Sequence, residues 1–147
     1  MDAYTPPRSP HDLTGGLIYF ARMLDKIRLH AAGKLHPDYH PFLSGDADPT
    51  HFDGRCCRFL GVSYAALRDR VLAGGTDEEV LAWCRQSGIP RSDEEVLVWN
   101  SFIRKRGWRD GPASDELAAQ KAAAGLGHRD DIETYFDFHE VDEGRRA

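Results

Sequence analysis

The sequence has few cysteines and no long apolar run, and each shortage excludes a class of protein. Its three cysteines, an odd number that includes the adjacent pair Cys56-Cys57, do not form the even pattern of a disulfide framework. No window approaches the roughly 20 apolar residues that a membrane-spanning helix requires, and the N-terminal residues lack the basic and apolar regions of a secretory signal. We therefore expect a cytoplasmic protein with reduced thiols and no contact with a membrane.

Positive charge is not in excess either. The net charge is -5 at pH 7, which disfavours nucleic acid as a partner, because proteins that bind it usually present a basic face. The basic residues of the range 104–109 surround Trp108 and could hold a single strand by stacking and charge. The end of a helix also favours basic residues through its dipole, and we prefer that interpretation.

Runs that alternate apolar and polar residues are missing as well, so the sequence offers no convincing strand. Every periodic segment has the helical period, and 147 residues suffice for one hydrophobic core. We predict an all-α fold, a single domain of about seven helices around a central buried first helix. Residues 1–14, which are rich in proline, form an extended N-terminal arm, residues 15–140 the helical domain, and residues 141–147 a frayed C-terminal tail.

The stretch Leu17–Ala32 is the best candidate for the central helix. Apolar residues cover most of its helical wheel, which predicts burial on several sides. Asp25 and Arg28 fall inside the apolar arc one turn apart, so we expect them to form a buried ion pair. Arg22 and Lys26 fall on the narrow polar strip, where side chains are normally solvated. They would rim an anion site if the irregular loop after the helix folded over that strip.

Two helix starts in the middle of the chain nearly repeat one another. Thr76-Asp77-Glu78-Glu79 and Ser92-Asp93-Glu94-Glu95 each match the capping box, in which the hydroxyl and the third helical side chain cap each other's amides. Two copies do not establish a repeat architecture, which needs at least three stacked units. We interpret them as two independent, strong helix starts.

Several short motifs lie in the first two thirds of the chain: Gly15-Gly16, Arg22-Met23-Leu24-Asp25-Lys26-Ile27-Arg28, Ala32-Gly33-Lys34-Leu35, Tyr39, Asp77-Glu78-Glu79-Val80, Trp83 and Trp99-Asn100. On these motifs the chain resembles a family of small bacterial proteins known as a domain of unknown function, number 5069. The resemblance spans most of residues 10–110. It implies a compact, helical, bacterial domain, and it implies no activity, cofactor or catalytic residue.

Metal ligands and nucleophiles give only weak signals in this sequence. His36 and His40 stand four residues apart, but such a pair converges on a metal only in a helix, and Pro37 and Pro41 oppose a helix there. The cysteines have no sequence signature that would supply a base. We therefore predict no metal and no cofactor, and we assign no catalytic residue.

The candidate ligand-binding residues are polar side chains on or beside the central helix. An arginine can bind a carboxylate or phosphate through two hydrogen bonds, and the loop of residues 34–50, the longest irregular stretch, could cover such a site. The candidates are Arg22, Asp25, Lys26, Arg28, Tyr39 and Asn100.

For function we expect a non-enzymatic binding or interaction module, whose partner is an anionic small molecule or a protein. The alternative is a small enzyme or sensor that binds an anionic metabolite, a phosphate or a carboxylate, through Arg22, Lys26 and Arg28. A concave polar cavity that reaches Arg28 would favour a small ligand. A sealed core with a flat, exposed apolar patch would favour a protein partner.

Overall fold

Helices make up most of this chain. The computed structural model describes residues 4–44 and 48–147. In these ranges the elements are strands β1 (Leu13–Thr14) and β2 (Leu17–Ile18), helix α1 (Phe20–Ala31), a 3-10 helix (Pro37–Phe42), and helices α2 (Phe52–Leu60), α3 (Tyr64–Leu72), α4 (Asp77–Ser87), α5 (Asp93–Lys105), α6 (Pro112–Ala123) and α7 (Tyr135–Asp142). The predicted all-α class is confirmed, with one short hairpin added. None of the helices in the described ranges is long and apolar enough to traverse a lipid bilayer.

The central helix begins three residues later than the sequence predicts. Strand β2 pairs antiparallel with β1, and Gly15 and Gly16 form the turn with φ values of 52° and 79°, which glycine adopts without strain. Asn100 of α5 holds this hairpin, since its amide oxygen accepts from the Ile18 N–H at 3.0 Å and its amide nitrogen donates to the Gly16 carbonyl at 2.9 Å. Leu17 and Ile18, which the sequence assigns to the first turn of the central helix, therefore belong to strand β2.

Helix α1 lies in the main hydrophobic core, as predicted. Its inner side chains Phe20, Met23, Leu24 and Ile27 are buried, and the helix packs against α3 and β1. The three cysteines are free and buried and belong to the same core. Buried free cysteines commonly act as small apolar core residues.

A second, smaller apolar cluster joins α6 to α7. Phe52, at the start of α2, packs against both this cluster and the main core. The first turn of α2 therefore lies where the two clusters meet. The buried members of the second cluster are Ala113, Leu117, Ile132, Tyr135 and Phe138.

Both ends of the described chain are fastened to the domain. The N-terminal arm lies over the helices, with Pro7 and Pro10 buried. The predicted frayed tail differs from the structure, because residues 141 and 142 belong to α7 and the residues that follow pair with other segments. Arg145 donates to the Pro7 carbonyl at 3.0 Å, and Arg146 contacts Asp137 at 3.1 Å. The residues after α7 thus contact the N-terminal arm and α7 through their charged side chains.

The helix starts follow the predicted capping chemistry. Thr76 and Ser92 each accept a hydrogen bond from the amide of the third helical residue, and both capping boxes are complete. A third box at Thr134 begins α7. Helix α6 begins at Pro112, whose ring suits the first helical position.

Candidate functional site

A cleft of about 810 Å³ opens between α1, residues 36–42 and 50–52, α6 and α7. This volume is in the range of pockets that hold small organic ligands. The N-terminal arm contributes Tyr4 to its edge. The wall is rich in aromatic rings, among them Phe42, Phe52, Tyr135 and Phe138.

The cleft reaches a set of buried charged and phenolic side chains, here termed the buried charge cluster. Two of its members lie on one side of α1, and the others come from the residue before α1, from α2 and from the end of α7. All but Asp53 also line the cleft. The members are Tyr19, Arg22, Lys26, Asp53 and Glu143.

The first half of the cluster is centred on Asp53. This carboxylate is completely buried in the first turn of α2, where the helix dipole favours an acidic side chain. The Tyr19 hydroxyl donates to its Oδ1 at 2.5 Å, and the Lys26 ammonium donates to the same oxygen at 2.9 Å. Lys26 also donates to the Tyr19 hydroxyl oxygen at 3.3 Å. The three polar groups therefore form a closed triangle, with Lys26 only 3% exposed.

The second half is a bidentate ion pair between Arg22 and Glu143. The two guanidinium nitrogens donate to the two carboxylate oxygens at 2.8 and 2.7 Å, and the two side chains are only 2% and 3% exposed. The Tyr39 hydroxyl donates to Glu143 at 2.7 Å, and Arg145 pairs with Glu143 as well. Tyr39 comes from the predicted loop, so the 3-10 helix covers the side of α1 that carries Arg22.

The protein environment determines where the protons of this cluster reside. Burial, reinforced by the Asp53 charge, raises the pKa of Tyr19 well above its usual value. Burial also lowers the pKa of Lys26, against the opposing attraction of Asp53. For Glu143, burial would raise the pKa, but the hydrogen bonds and charge of Arg22 outweigh it, and the pKa falls to about 2. Burial and the charge of Arg22 lower the pKa of the neighbouring His139 well below its usual value.

Three buried side-chain atoms in the described ranges have no hydrogen-bond partner in the protein: His51 Nδ1, Asp53 Oδ2 and Arg106 Nε. His51 and Arg106 line the cleft, and Asp53 is bonded to two residues that line it. Buried polar atoms without partners are uncommon, and each needs an explanation. These three atoms lie at or next to the cleft, so the protein leaves some hydrogen-bonding capacity unused in this region.

The predicted buried ion pair between Asp25 and Arg28 is wrong. Asp25 is only half-buried, and it accepts from the Arg8 amide of the N-terminal arm at 3.0 Å. Arg28 is 33% exposed and pairs with Asp77 of α4 at 2.7 Å. The solvated positions predicted for Arg22 and Lys26 are wrong too. A helical wheel contains only the residues of its own helix. It cannot show that distant segments of the chain cover the polar strip.

Of the six candidate residues, the structure brings three together. Arg22, Lys26 and Tyr39 line the cleft. Asp25 and Arg28 lie on another side of α1, and Asn100 holds the β1–β2 hairpin.

Sequence reasoning missed Tyr19, Asp53, Glu143 and His139. Glu143 follows α7, in a stretch that the sequence marked only as a charged tail, and it lies 121 residues from its partner Arg22. Asp53 could have been noted as an acid in a first helical turn, but nothing local pairs it with Lys26.

The structure also describes the surroundings of the potential metal ligands, the cysteine thiols and the exposed apolar side chains. In the described part of the chain, no three histidine, cysteine or acidic side chains are grouped so as to hold a metal ion. Burial raises the pKa of Cys57 to about 12 and that of Cys84 to about 11. The outer side of α5 exposes Leu97, Val98 and Phe102, so the structure has both a concave polar cleft and an exposed apolar patch.

The chain belongs to the family described as Domain of unknown function (DUF5069), whose profile matches residues 4–145. The resemblance on the short motifs is therefore confirmed, and the match extends over the C-terminal part as well. It includes every residue of the buried charge cluster. No curated protein matches the sequence at a significant level.

Proposed function

We propose that this protein binds a small organic molecule, uncharged or cationic and carrying a flat ring, in the cleft above the buried charge cluster. The observation that carries the proposal is the burial of Arg22 and Lys26 at the inner surface of an 810 Å³ cleft. Charged groups at the base of a concave site provide the few directional contacts that orient a ligand, and apolar walls provide most of the contact area.

Stability alone is a poor explanation for these charges. Removing two charges from water costs several kcal/mol per ion, and a buried ion pair often stabilises a fold no better than apolar residues of the same size. Perturbed pKa values in a cleft are typical of functional sites. His51 Nδ1 and Arg106 Nε are buried without partners in two residues that line the same cleft, and such unsatisfied atoms often occur at functional sites.

The charge balance of the cleft favours a ligand that is not an anion. Arg22 is bonded to Glu143 and Lys26 to Asp53, so an anion would compete with carboxylates already in place. Carboxylates exceed cationic side chains along the wall. The acidic members are Asp38, Glu116, Asp142 and Glu143, and the cationic members are Arg22, Lys26 and Arg106.

This proposal keeps the expectation of a binding protein and changes the expected ligand. The alternative, a sensor or enzyme for a phosphate or carboxylate, would use Arg22 and Lys26 without Arg28, which does not line the cleft. We further propose a cytoplasmic location, supported by three free, buried thiols, since reduced cysteines are typical of reducing compartments.

A thermal denaturation series with three compounds on one ring tests the ligand class. Benzyl alcohol is neutral, benzylamine is cationic and benzoate is anionic, and each is used at millimolar concentration with inorganic phosphate as a further anion. A ligand that binds only the native state raises the melting temperature. We expect benzyl alcohol or benzylamine to raise it more than benzoate or phosphate. A larger shift with either anion would contradict the proposal and support the anionic alternative.

Two tryptophan substitutions on α6 assign the binding to the cleft. Ala123 lines the cleft, and Ala123→Trp should reduce the shift because the indole occupies ligand space. Ala118 is exposed on the same helix and does not line the cleft, so Ala118→Trp should leave the shift unchanged. Equal shifts in both variants would place the binding elsewhere.

A further inference from the structure

We propose that Lys26 is an amine nucleophile that forms a reversible imine with an aldehyde or ketone bound in the cleft. This inference rests on the proposed function, because it names a ligand class for the same site. It adds a covalent step, carried by a single lysine, to a protein expected only to bind.

The geometry supplies the groups that imine formation needs. The reacting amine must meet the ligand in the cleft, and Lys26 is among the residues that line it, with 4% of its side chain exposed. A base must take the ammonium proton, and Asp53 Oδ1 lies 2.9 Å from the Lys26 nitrogen. A proton donor must stand beside the nitrogen, and the Tyr19 hydroxyl lies 3.3 Å away. Asp53 Oδ2 is buried without a partner and is free to hold a proton.

The low polarity around this triangle favours the reactive protonation state. Lys26 is only 3% exposed, and a buried ammonium that water cannot stabilise is costly, so burial favours the neutral amine. Burial lowers the pKa of Lys26 in the same sense. A lysine that is desolvated beside another cation, here Arg22, is a known form of activated amine nucleophile.

The step balances without any further reactant. The neutral amine of Lys26 attacks the carbonyl carbon and forms a carbon–nitrogen bond, and an amine proton moves to the oxygen to give a carbinolamine. The carbon–oxygen bond then breaks, with the proton of the Asp53 carboxylic acid, passed directly or through the Tyr19 hydroxyl, leaving with the oxygen as water. The products are a protonated imine on Lys26, an Asp53 carboxylate and one water molecule. The carboxylate stabilises the new cation, as it stabilised the ammonium before.

Other lysines of the chain provide an internal reference. Lys34 and Lys105 are exposed, and neither side chain makes a hydrogen bond or an ion pair within the described ranges. Lys121 donates to the carbonyl oxygens of Arg129 and Ile132 at 2.6 and 3.1 Å. An exposed lysine is mostly protonated at neutral pH and therefore reacts slowly with a carbonyl compound.

Reductive trapping of the wild-type protein tests the inference. The native protein is incubated at neutral pH with benzaldehyde and sodium cyanoborohydride, which reduces an imine to a stable secondary amine. Peptide mass mapping then follows the time course at each lysine. We expect Lys26 to be labelled at least about tenfold faster than Lys34 or Lys105, because a desolvated amine beside a second cation is more often neutral than an exposed one. Equal rates, or no label on Lys26 in folded protein, would overturn the inference.

Two further measurements separate this inference from the proposed function. Benzyl alcohol has the same ring but no carbonyl, so it should slow the labelling of Lys26 and leave Lys34 unchanged. If benzyl alcohol raises the melting temperature and Lys26 is not labelled, the imine is refuted and the binding function stands. If Lys26 is labelled quickly and benzyl alcohol neither binds nor competes, the imine stands and the proposed ligand class fails. Tyr19→Phe should slow the labelling of Lys26 alone, because it removes the hydroxyl that can relay the Asp53 proton to the leaving oxygen.

Discussion

The two charged sides of α1 carry the same kinds of side chain and differ in what covers them. On one side, Arg22 and Lys26 are nearly inaccessible and are bonded to buried carboxylates from α2 and the end of α7. On the other side, Arg28 remains one third exposed, and its partner is Asp77 of α4. The same helix therefore carries both buried and partly exposed charges. Which of the two a charge becomes depends on the other segments that pack over it.

The carboxylates on the two sides have similar numbers of partners, and those partners differ in their exposure to water. Glu143 accepts hydrogen bonds from Arg22 and Tyr39, and Asp53 accepts from Tyr19 and Lys26. On the exposed side, Asp77 bridges Arg28 and Arg8, and both arginines keep contact with water. The buried side thus depends on complete pairing, because water cannot replace a lost partner there.

The largest expected effect is the loss of a buried carboxylate. Glu143→Ala leaves the Arg22 guanidinium buried without its bidentate partner, and we expect the free energy of unfolding to fall by about 3–5 kcal/mol. The matched variant on the exposed side, Asp77→Ala, leaves two arginines that water can solvate, and we expect a loss below about 1 kcal/mol. Urea denaturation measures both. Equal losses would contradict the contrast between the two sides of α1.

A smaller effect is expected from the removal of one hydroxyl. Tyr19→Phe keeps the ring and deletes the donor to Asp53, which leaves a buried carboxylate less well satisfied. We expect a loss of about 1–3 kcal/mol in the free energy of unfolding. Tyr4→Phe is the control, because Tyr4 is exposed at the edge of the cleft, and we expect a change within about 0.5 kcal/mol. A negligible loss for Tyr19→Phe would show that Lys26 alone satisfies Asp53.

The pH dependence of the free energy of unfolding should distinguish the contribution of His139 from that of Glu143, because the two contributions change in different ranges of pH. His139 has a folded pKa below its ordinary value of 6.5, so the unfolded chain takes up the proton first and stability falls as the pH drops below about 6.5. Burial is the largest cause of this lowered pKa, the charges of Arg22, Lys26 and Arg145 add to it, and the charge of Glu143 opposes it. The slope for one proton is at most about 1.4 kcal/mol per pH unit. His139→Gln should remove this part of the curve, and exposed His128→Gln should not.

Glu143 contributes in a lower range of pH. Its folded pKa of about 2 lies below the ordinary value of 4.5, so its stabilisation is fully present above about 4.5 and is lost as the pH falls toward 2. Glu143→Gln should therefore be less stable than the wild type at neutral pH, and the difference should shrink on acidification. Urea denaturation at several pH values gives this difference curve. A difference that stays constant between about pH 5 and 2 would contradict the assigned pKa.

The sequence predicts the fold better than it predicts the site, and the reason is the range of the interactions involved. Helix starts depend on residues three positions apart, so both capping boxes could be predicted from the sequence. The buried position of α1 follows from its apolar wheel. The buried charge cluster depends on Glu143 and Asp53, which lie 121 and 27 residues from their partners on α1, and no local pattern connects them.

The smallest expected effect concerns Arg28 and sharpens the contrast by means of salt. Arg28→Met removes an ion pair whose arginine is one third exposed, and we expect a loss below about 1 kcal/mol at low ionic strength. Because the Debye length falls to about 3 Å at 1 M salt, this loss should shrink further when the denaturation is repeated at high salt. The loss caused by Glu143→Ala should persist, since salt does not enter the buried side. If both losses respond equally to salt, then Arg22 and Glu143 are as well hydrated as Arg28. The binding proposal requires that the charges of Arg22 and Glu143 lie in surroundings of low polarity, so that result would contradict it.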